Sequence, residues 1–386
     1  MRINKKNQPA GLYIHIPFCL RKCGYCDFLS FGGCSEELQA KYVDALCKEI
    51  DMYAGQNATV DTVYIGGGTP SLLHQNHIRK IMKAAEAAFC IVDGAEITIE
   101  ANPKTLTEDK LAAYREAGIN RLSMGAQSMN DEMLLFMGRA HDKQDFLGNF
   151  KAARAAGFDN INVDLMFGIP GQSMEMWEAS LKELIELGPE HISFYSLQLE
   201  EGTAFAKQYR DGEIDLPPVE LDREMYHRGI QMLKDAGYEH YEISNCAKPG
   251  RSSRHNLKYW NFVEYYSVGL GAHSFRYDEG RRFNVSDFDT YFKMVAEGML
   301  PQEEAEQETL QDYMSEYVFT ALRKLEGLSF DDFRNTFGVE FFDVYKEQKE
   351  IIKKYIAKGL VMVTETHMAL TVAGIDVSNE VMAEFV

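Results

Sequence analysis

The sequence predicts an α/β fold, in which an open (β/α)6 barrel is followed by a smaller C-terminal helical, winged-helix-like domain. From Leu12 to about Gly237, short β-rich runs alternate with amphipathic helical runs, a pattern typical of parallel strands joined by right-handed helical crossovers. Six such units fall short of the eight in a complete (β/α)8 barrel, so we expect an open one. The predicted strands are 12–16, 62–65, 96–100, 121–124, 160–166 and 191–198.

Helix signals occur between these strands. Ser35, Thr107 and Ser173 are predicted N-caps, because a side-chain oxygen at this position accepts a hydrogen bond from the first helical turn. Gly118 and Gly188 are predicted to end the second and third of these helices. The helix after Ser35 places its apolar residues on one face, namely Leu38, Tyr42, Leu46 and Ile50.

The chain changes character past Gly237. Residues 240–286 are aromatic-rich and predicted to be irregular, and two short β runs near the C-terminus suggest a wing after several helices. We therefore expect a barrel at 1–240, a linking region at 241–300 and a C-terminal domain at 301–386, which we interpret as a structural or docking module. The predicted C-terminal helices are 288–296, 310–324, 330–337 and 344–357, and the β runs are 360–364 and 368–371.

Composition excludes several classes of protein. The formal net charge of -19 argues against a nucleic-acid-binding surface, which needs a basic stripe. No stretch approaches the roughly eighteen apolar residues of a transmembrane helix, and no apolar signal segment precedes Gly11. Seven cysteines, three of them clustered, fit a reducing compartment better than a disulfide framework, so we expect a cytoplasmic protein.

The most informative motif of the sequence consists of three cysteines near the N-terminus. Cys19, Cys23 and Cys26 have the spacing C-x3-C-x2-C on a predicted loop, after a β-rich run that Pro17 closes. Three thiolates on one loop can hold three irons of a [4Fe–4S] cluster, because soft sulfur ligands suit iron–sulfur clusters. The fourth iron is then open to a small molecule.

A zinc site is the alternative for this loop. Zinc would need a fourth Cys or His ligand, and Cys34 and His15 are near in sequence. The remaining cysteines have no partner motif and are interpreted as packing residues, with Cys47 and Cys90 at or beside helical core positions and Cys246 near a loop.

Polar and glycine-rich motifs follow successive predicted strands. The sequence GGGTP directly follows the second predicted strand. Its glycines can bring the backbone close to a ligand, although a simple turn at the end of the strand explains them too. Asp164 lies inside the apolar fifth predicted strand, where burying its charge costs free energy unless it has a partner. Ligands of such barrels bind at the carboxyl ends of the strands, so these residues are candidates as a group. They are Gly67, Gly68, Thr69, Glu100, Gln127, Arg139 and Asp164.

The cysteine spacing resembles that of the radical S-adenosylmethionine (SAM) superfamily. The resemblance implies a radical SAM partial TIM barrel, in which the amino and carboxylate groups of SAM chelate the fourth iron of a [4Fe–4S] cluster. It also implies that an electron from the cluster releases a 5′-deoxyadenosyl radical. Gly67, Gly68 and Thr69 resemble the glycine-rich element that holds the methionyl amino group.

Several motifs in the same order resemble the oxygen-independent coproporphyrinogen III oxidase family over nearly the whole chain. They are YIHIPFC, GGGTP, IEANP, MGAQS, GR and DLMFGIPGQ. By this resemblance, the residues expected to line the SAM pocket are Tyr13, Gly67, Gly68, Thr69, Glu100, Gln127, Arg139 and Asp164.

The chain departs from the oxidases at two places. Phe28 stands where the oxidases have a fourth cysteine, and only eighteen residues precede Cys19 where the oxidases have a longer segment. The chain has instead an HNxxYW motif at 255–260, which resembles that of the HemW-type haem chaperones, a branch of the family. We expect His255 to ligate haem iron, with Tyr259 and Trp260 against the macrocycle. The alternative is a hydrogen-bonded histidine beside two core aromatic residues, and His273 is a second candidate ligand.

The resemblance implies a haem chaperone that carries a [4Fe–4S] cluster and SAM and delivers haem to haem-requiring apoproteins, among them respiratory ones. Contact with a membrane through the acceptor and a homodimer are further expectations, and nucleic acid is not expected as a partner. The alternative function is the oxidase itself, which decarboxylates two propionates by radical chemistry. A plain iron–sulfur electron carrier is a third class, and it would not bind SAM.

Overall fold

The computed structural model describes residues 3–4, 8–303 and 308–386, and strands alternate with helices along most of this length. The strands are β1 (Ala10–Ile16), β2 (Phe18–Cys19), β3 (Phe31–Gly32), β4 (Thr59–Gly67), β5 (Cys90–Ala101), β6 (Arg121–Gln127), β7 (Ile161–Phe167), β8 (His191–Ser196), β9 (Glu239–Glu242), β10 (Asn245–Ala247), β11 (Tyr265–Val268), β12 (His273–Arg276), β13 (Gly280–Phe283), β14 (Leu328–Ser329), β15 (Val361–Val363) and β16 (His367–Leu370). The helices are α1 (Glu36–Asp51), α2 (Gln75–Ala88), α3 (Glu108–Glu116), α4 (Asp131–Phe136), α5 (Lys143–Ala155), α6 (Met174–Leu187), α7 (Ala204–Arg210), α8 (Val219–Asp235), α9 (Arg254–Trp260), α10 (Phe288–Ala296), α11 (Leu310–Ala321), α12 (Phe330–Phe337), α13 (Phe341–Val344), α14 (Lys349–Ala357), α15 (Val372–Ile375) and α16 (Ser378–Ala383).

Six parallel strands form the centre of the main sheet, in the order β1-β4-β5-β6-β7-β8. Each corresponds to one of the six predicted strands, so the predicted α/β partial barrel is confirmed. The order follows the sequence because each strand is joined to the next by a helical crossover. All six carboxyl ends therefore lie at one end of the barrel, which we call the top.

The predicted helix ends agree with the structure at the caps. Ser35, Thr107 and Ser173 each accept a hydrogen bond from a backbone N–H of the first turn. Gly188 ends α6 in the left-handed conformation, with φ of 68°, where an L side chain would be strained. These local signals therefore set the lengths of three crossovers.

Residues 240–286 are not irregular, contrary to the prediction. β11 pairs in parallel with β1, and β12 and β13 extend that edge, whereas β10 and β9 extend the other edge beyond β8. These strands have only three or four residues, too few to produce a recognisable hydrophobic period. Cys246, expected near a loop, is fully buried in β10, whereas Cys90 is exposed at the start of β5 and is not a helical packing residue.

The two faces of the central strands differ in chemistry. Residues that point outward pack against the surrounding helices and belong to one continuous apolar core. Among them are Leu12, Ile14, Val63, Ile65, Ile97, Ile99, Leu122, Met124, Ile161, Val163, Ile192 and Phe194. Because strand residues alternate between the two faces, the intervening residues point inward. Complete (β/α)8 barrels fill this space with aliphatic side chains, but here the inward residues are mostly polar. Among them are Tyr13, Tyr64, Glu100, Arg121, Ser123, Asn162, Asp164 and Ser193.

The C-terminal helices include a small sheet, as predicted. The predicted wing strands are present as β15 and β16, and β14 adds a third strand to them in the order β14-β16-β15. The predicted helix 344–357 is present only as α14, which begins at Lys349, while α13 ends at the first predicted residue. The segment after α11 joins the barrel edge at β9, where Ile243 N–H donates to the Arg323 carbonyl at 3.1 Å and Leu325 N–H to the Tyr241 carbonyl at 3.2 Å. Among the described helices, none is both long enough and apolar enough to cross a membrane.

Candidate functional site

The cysteine loop lies at the top of the barrel, between β1 and α1. The short β2–β3 ladder pairs Cys19 with Gly32 and closes the base of the loop. Cys23 and Cys26 share a turn, in which Cys26 N–H donates to the Cys23 carbonyl at 3.2 Å. All three cysteines are half-buried free thiols that line one cavity. The Thr69 hydroxyl lies 3.5 Å from Cys19 Sγ, so the loop contacts the glycine-rich segment after β4 directly.

The ligand set of this loop does not suit a single zinc ion. Within residues 3–4, 8–303 and 308–386, no group of three or more His, Cys, Asp or Glu side chains is close enough to hold one metal ion. Both ring nitrogens of His15 are already hydrogen-bonded, to the Tyr13 hydroxyl and to the Leu29 carbonyl. The three thiols share one cavity, and soft sulfur ligands suit an iron–sulfur cluster.

The glycines of GGGTP are required by contacts within the chain. Gly67 has φ of 111°, and a Cβ there would overlap the His15 ring. A Cβ on Gly68 would lie 2.8 Å from the Phe18 carbonyl oxygen. The close approach that these glycines permit is therefore to the cysteine loop, and it fixes the loop against the end of β4.

Glu100 and Asp164 are two carboxylates that face the cavity. Glu100 accepts hydrogen bonds from the Tyr64 hydroxyl at 2.9 Å and from Gly67 N–H at 3.0 Å. Burial, together with the charge of Asp164, raises the pKa of Glu100 to about 7. Burial also raises the pKa of Asp164, whose Oδ1 accepts from Asn162 Nδ2 at 2.7 Å. Both carboxylates are thus held in place and suited to accept hydrogen bonds from a ligand.

Gln127 and Arg139 complete the top of the site. Gln127 has φ of 65° at a register shift of β6 against β7, and this bulge turns its amide towards the Tyr195 hydroxyl, 3.1 Å away. Arg139 donates from one terminal nitrogen to the Gly125 carbonyl at 2.8 Å, while the other lies 3.6 Å from Cys23 Sγ. Arg139 therefore contacts both the end of β6 and the cysteine loop.

The cavity below the loop has a volume of about 920 Å³ and brings together most of the predicted site. The predicted residues that line it are Cys19, Cys23, Cys26, Gly67, Gly68, Thr69, Glu100, Gln127, Arg139 and Asp164. Tyr13 is not among the described lining residues, since it packs on Tyr64 with ring centroids 6.2 Å apart. Sequence reasoning missed Arg121, Ser123, Asn162 and Ser193 on the cavity wall. Their signal was a polar residue at every second position of β6, β7 and β8.

His255 is not an open haem ligand in this structure. Its side chain is 1% exposed, and its ring nitrogens are hydrogen-bonded to the Thr62 and Tyr259 hydroxyls, each at 2.8 Å. Burial lowers the pKa of His255 to about 3, so the ring is neutral. Thr62 precedes Gly67 by five residues, so His255 lies roughly 16 Å from the top of β4, at the bottom of the barrel.

Tyr259 and Trp260 also contact protein in place of a ligand. The Tyr259 ring packs edge-on against Tyr265 with centroids 4.6 Å apart, and the Arg323 guanidinium lies 4.6 Å from the Trp260 ring centre. In this conformation the motif has the alternative role considered from the sequence, a hydrogen-bonded histidine beside packed aromatic residues, and only its Asn256 lines the cavity. His273, the second candidate, is exposed at the start of β12.

Comparisons with known proteins agree with this geometry. Residues 13–184 match the model of the Radical SAM superfamily, and residues 309–377 match the HemN C-terminal domain. The solved structure described as "Coproporphyrinogen III oxidase (HemN) from Escherichia coli is a Radical SAM enzyme" has a TM-score of 0.85 and 26% sequence identity, covering 98% of this chain and 90% of that one. The fold and the cysteine loop therefore define a radical SAM protein with a HemN-type C-terminal domain.

Curated relatives specify the family further. The chain is 36% identical over 376 residues to "Heme chaperone HemW" of Bacillus subtilis, covering 97% of this chain and 98% of the relative. It is 41% identical over 275 residues to "Heme chaperone HemW" of Escherichia coli, covering 69% of this chain and 70% of the relative. The chain belongs to the HemW family, as the resemblance of its motifs predicts.

Proposed function

We propose that this chain binds haem and transfers it to haem-requiring apoproteins, and that its cysteine loop carries a [4Fe–4S] cluster with SAM. The observation that supports this most is the shared cavity, since three free thiols and the strand-end polar side chains all face it. Its volume of about 920 Å³ is at the upper end of ligand pockets in proteins. The names of the HemW relatives supply haem as the cargo.

Cys19, Cys23 and Cys26 would hold the cluster, and the residues around the top of the cavity would hold SAM. When bound, the cluster supplies an open iron for SAM and an electron for its reductive cleavage. Glu100 would accept hydrogen bonds from the ribose hydroxyls. Arg139 would stabilise negative charge on the Cys23 sulfur, while Gly67, Gly68, Thr69, Gln127 and Asp164 would position the ligand.

Haem would rest against the apolar rim of the cavity. Phe28, which replaces the fourth cysteine of the oxidases, is 65% exposed and lines the cavity, and Val219 is 73% exposed on the same lining. Exposed apolar side chains at a cavity mouth suit a flat apolar macrocycle. Haem ligation by His255 requires α9 to leave the bottom of the barrel, because both ring nitrogens are otherwise hydrogen-bonded.

Coproporphyrinogen III oxidation is the alternative function, favoured by the fold shared with the solved oxidase. Anaerobically reconstituted protein separates the two. We expect haem to bind, with a Soret band that shifts to the acceptor when apomyoglobin is added, and we expect no conversion of coproporphyrinogen III to protoporphyrinogen IX with SAM and a reductant. Conversion at rates comparable with the Escherichia coli oxidase, run as the parallel control, would contradict the proposal.

The proposal also includes the compartment in which haem is transferred, contact with a membrane and the oligomeric state. All seven cysteines are free thiols, which supports a reducing compartment and therefore the cytoplasm. Acceptors of the respiratory chain would bring the protein to a membrane through the acceptor alone. Sedimentation velocity of the reconstituted protein, with and without haem, tests the expected homodimer.

A further inference from the structure

Arg121 is a buried cation that forms no ion pair with any of the described residues. It begins β6, its side chain is 2% exposed, and it lines the cavity. Its Nε atom has no hydrogen-bond partner, and none of the ion pairs among the described residues includes Arg121. A buried charge that is left unpaired destabilises the fold strongly, so such a group is expected to have a partner when the protein is at work.

Thr98 has an unused hydrogen-bonding atom at the same place. It lies directly across from Arg121 in the β5–β6 ladder and is fully buried, and its Oγ1 atom also lacks a hydrogen-bond partner. Ser123, two residues after Arg121 on the same face of β6, accepts from Asn162 Nδ2 at 2.8 Å and keeps its O–H for another acceptor. Arg121 and Ser123 therefore both present donors to the cavity, and Thr98 lies beside Arg121 outside the cavity lining.

The neighbouring titratable side chains do not form an ion pair with Arg121. His191 is hydrogen-bonded to Asn162 Oδ1 at 2.6 Å and to the Tyr241 hydroxyl at 2.7 Å. Burial, assisted by the charge of Arg121, lowers the pKa of His191 far below its usual range, so this ring adds no charge. The charge of Arg121 acts on Asp164, where it lowers the pKa against the larger effect of burial, but the two side chains form no ion pair and Asp164 Oδ1 accepts from Asn162.

We propose that Arg121, with Ser123 beside it on the cavity wall, binds a carboxylate of the molecule that occupies the barrel cavity. The guanidinium presents a rigid fork of N–H donors that matches the two oxygens of a carboxylate. Under the proposed function, on which the identity of the cargo rests, this group is a propionate of haem, and the methionyl carboxylate of SAM, which is expected at the cysteine loop, is the other source that the tests distinguish. Arg121 lies six residues, roughly 20 Å, below Gln127 at the top, which favours the longer reach of a propionate.

The first test uses the wild-type protein. Haem and haem dimethyl ester, in which both propionates are blocked, are titrated into anaerobically reconstituted protein and followed by Soret absorbance. We expect the ester to bind roughly ten- to a hundredfold more weakly, the range for losing a hydrogen-bonded charge. Protein that binds no haem at all contradicts the proposed function and leaves the SAM measurement below to decide this inference alone.

The second test uses variants. Arg121→Met removes the charge, Arg121→Lys keeps the charge without the fork, and Arg79→Met is the control, since Arg79 pairs with Glu116 on the surface. We expect Arg121→Met to bind haem at least tenfold more weakly, with no further loss for the ester, and Arg121→Lys to be intermediate. Equilibrium dialysis of SAM identifies the other source, because a fall in SAM affinity with unchanged haem affinity assigns the methionyl carboxylate.

Unchanged affinity of both Arg121 variants for haem and for SAM overturns the inference, and the site then holds only water. Circular dichroism and thermal melts establish that the variants are folded. If Arg121→Met does not fold, then Arg121→Lys and the ester comparison decide. Equal binding of haem and ester, with wild-type affinity for SAM in Arg121→Lys, also overturns it.

Discussion

The imidazole of His255 and the hydroxyl of Thr62 are hydrogen-bonded at 2.8 Å, although 193 residues separate them in the chain. The bond joins α9 to β4 at the bottom of the barrel, and Gly11 of β1 lies close enough that a Cβ there would be 3.1 Å from His255 Cε1. Backbone N–H of His255 also donates to Glu96 of β5 at 3.1 Å. His255 therefore ties three strands together and closes the end of the barrel opposite to the cysteine loop.

We expect His255→Ala to lower the free energy of unfolding by about 2–4 kcal/mol, because it leaves a cavity and two hydroxyls without their partner. Urea denaturation followed by circular dichroism measures this change. His273→Ala is the control, and we expect less than about 0.5 kcal/mol for this exposed residue. A His255→Ala protein that keeps wild-type stability but loses haem affinity would contradict the closing role and favour direct haem ligation.

Glu100→Gln is expected to change how stability depends on pH. The pKa of Glu100 is raised from 4.5 to about 7 in the folded protein by burial and by Asp164. A carboxyl group with a raised folded pKa binds its proton more tightly in the folded state, so its contribution to stability falls as pH rises from about 4.5 to 7 and is constant above 7. Wild type should lose up to about 3 kcal/mol relative to the variant over this range.

Urea denaturation of both proteins at pH 5, 6, 7 and 8 measures this difference. The glutamine can keep both contacts, since its oxygen accepts from Gly67 N–H and its amide can donate to the Tyr64 hydroxyl. Parallel curves for the two proteins would show that Glu100 titrates as an ordinary surface carboxylate.

Gly67→Ala is expected to destabilise the protein by at least about 2 kcal/mol more than Gly212→Ala. Both glycines have positive φ, but a Cβ at Gly67 would overlap His15, whereas a Cβ at Gly212 would meet no atom within 4 Å. The difference therefore combines the contact with His15 and the greater backbone strain at Gly67, whose φ of 111° lies further from the left-handed region than the 73° of Gly212. Gly67→Ala should also weaken SAM binding in equilibrium dialysis, and equal effects of the two substitutions would refute the contact.

Single Cys→Ser substitutions at Cys19, Cys23 and Cys26 are expected to lower the iron content of the reconstituted protein to less than half and to abolish SAM binding. Cys34→Ser is the matched control, because Cys34 is also a half-buried thiol close to the loop but is expected to have no iron. Iron analysis and EPR of dithionite-reduced protein measure the outcome. Loss of iron in the Cys34 variant would place a fourth cysteine on the cluster.

Local patterns predicted the central barrel well. Each of its six strands lies in a hydrophobic run bounded by caps and glycines such as Ser35 and Gly188, and these signals act over a few residues. The edge strands were missed because β9–β13 are short and owe their conformation to pairing with β1 and β8. Such pairing depends on partners that are distant in sequence, which a local pattern does not contain.

The sequence predicted which residues line much of the candidate site better than it predicted where the HNxxYW motif lies. The residues at the strand ends share the predicted cavity because all carboxyl ends of parallel strands meet at one edge. The HNxxYW motif was placed beside the ligand by its residue types, but its partners Thr62 and Tyr265 are in other strands and hold it at the bottom. Arg121 was overlooked because a lone arginine at the start of a strand has no local feature that reveals whether it forms an ion pair in the fold.

The alternation of apolar outward and polar inward residues in the central strands divides two tasks between neighbours. Outward side chains such as Ile99 and Leu122 pack against the helices and stabilise the barrel, while inward ones such as Glu100 and Arg121 determine which ligand its cavity can bind. Substituting only the inward residues would therefore change the ligand specificity of the cavity and leave the packing of the barrel intact.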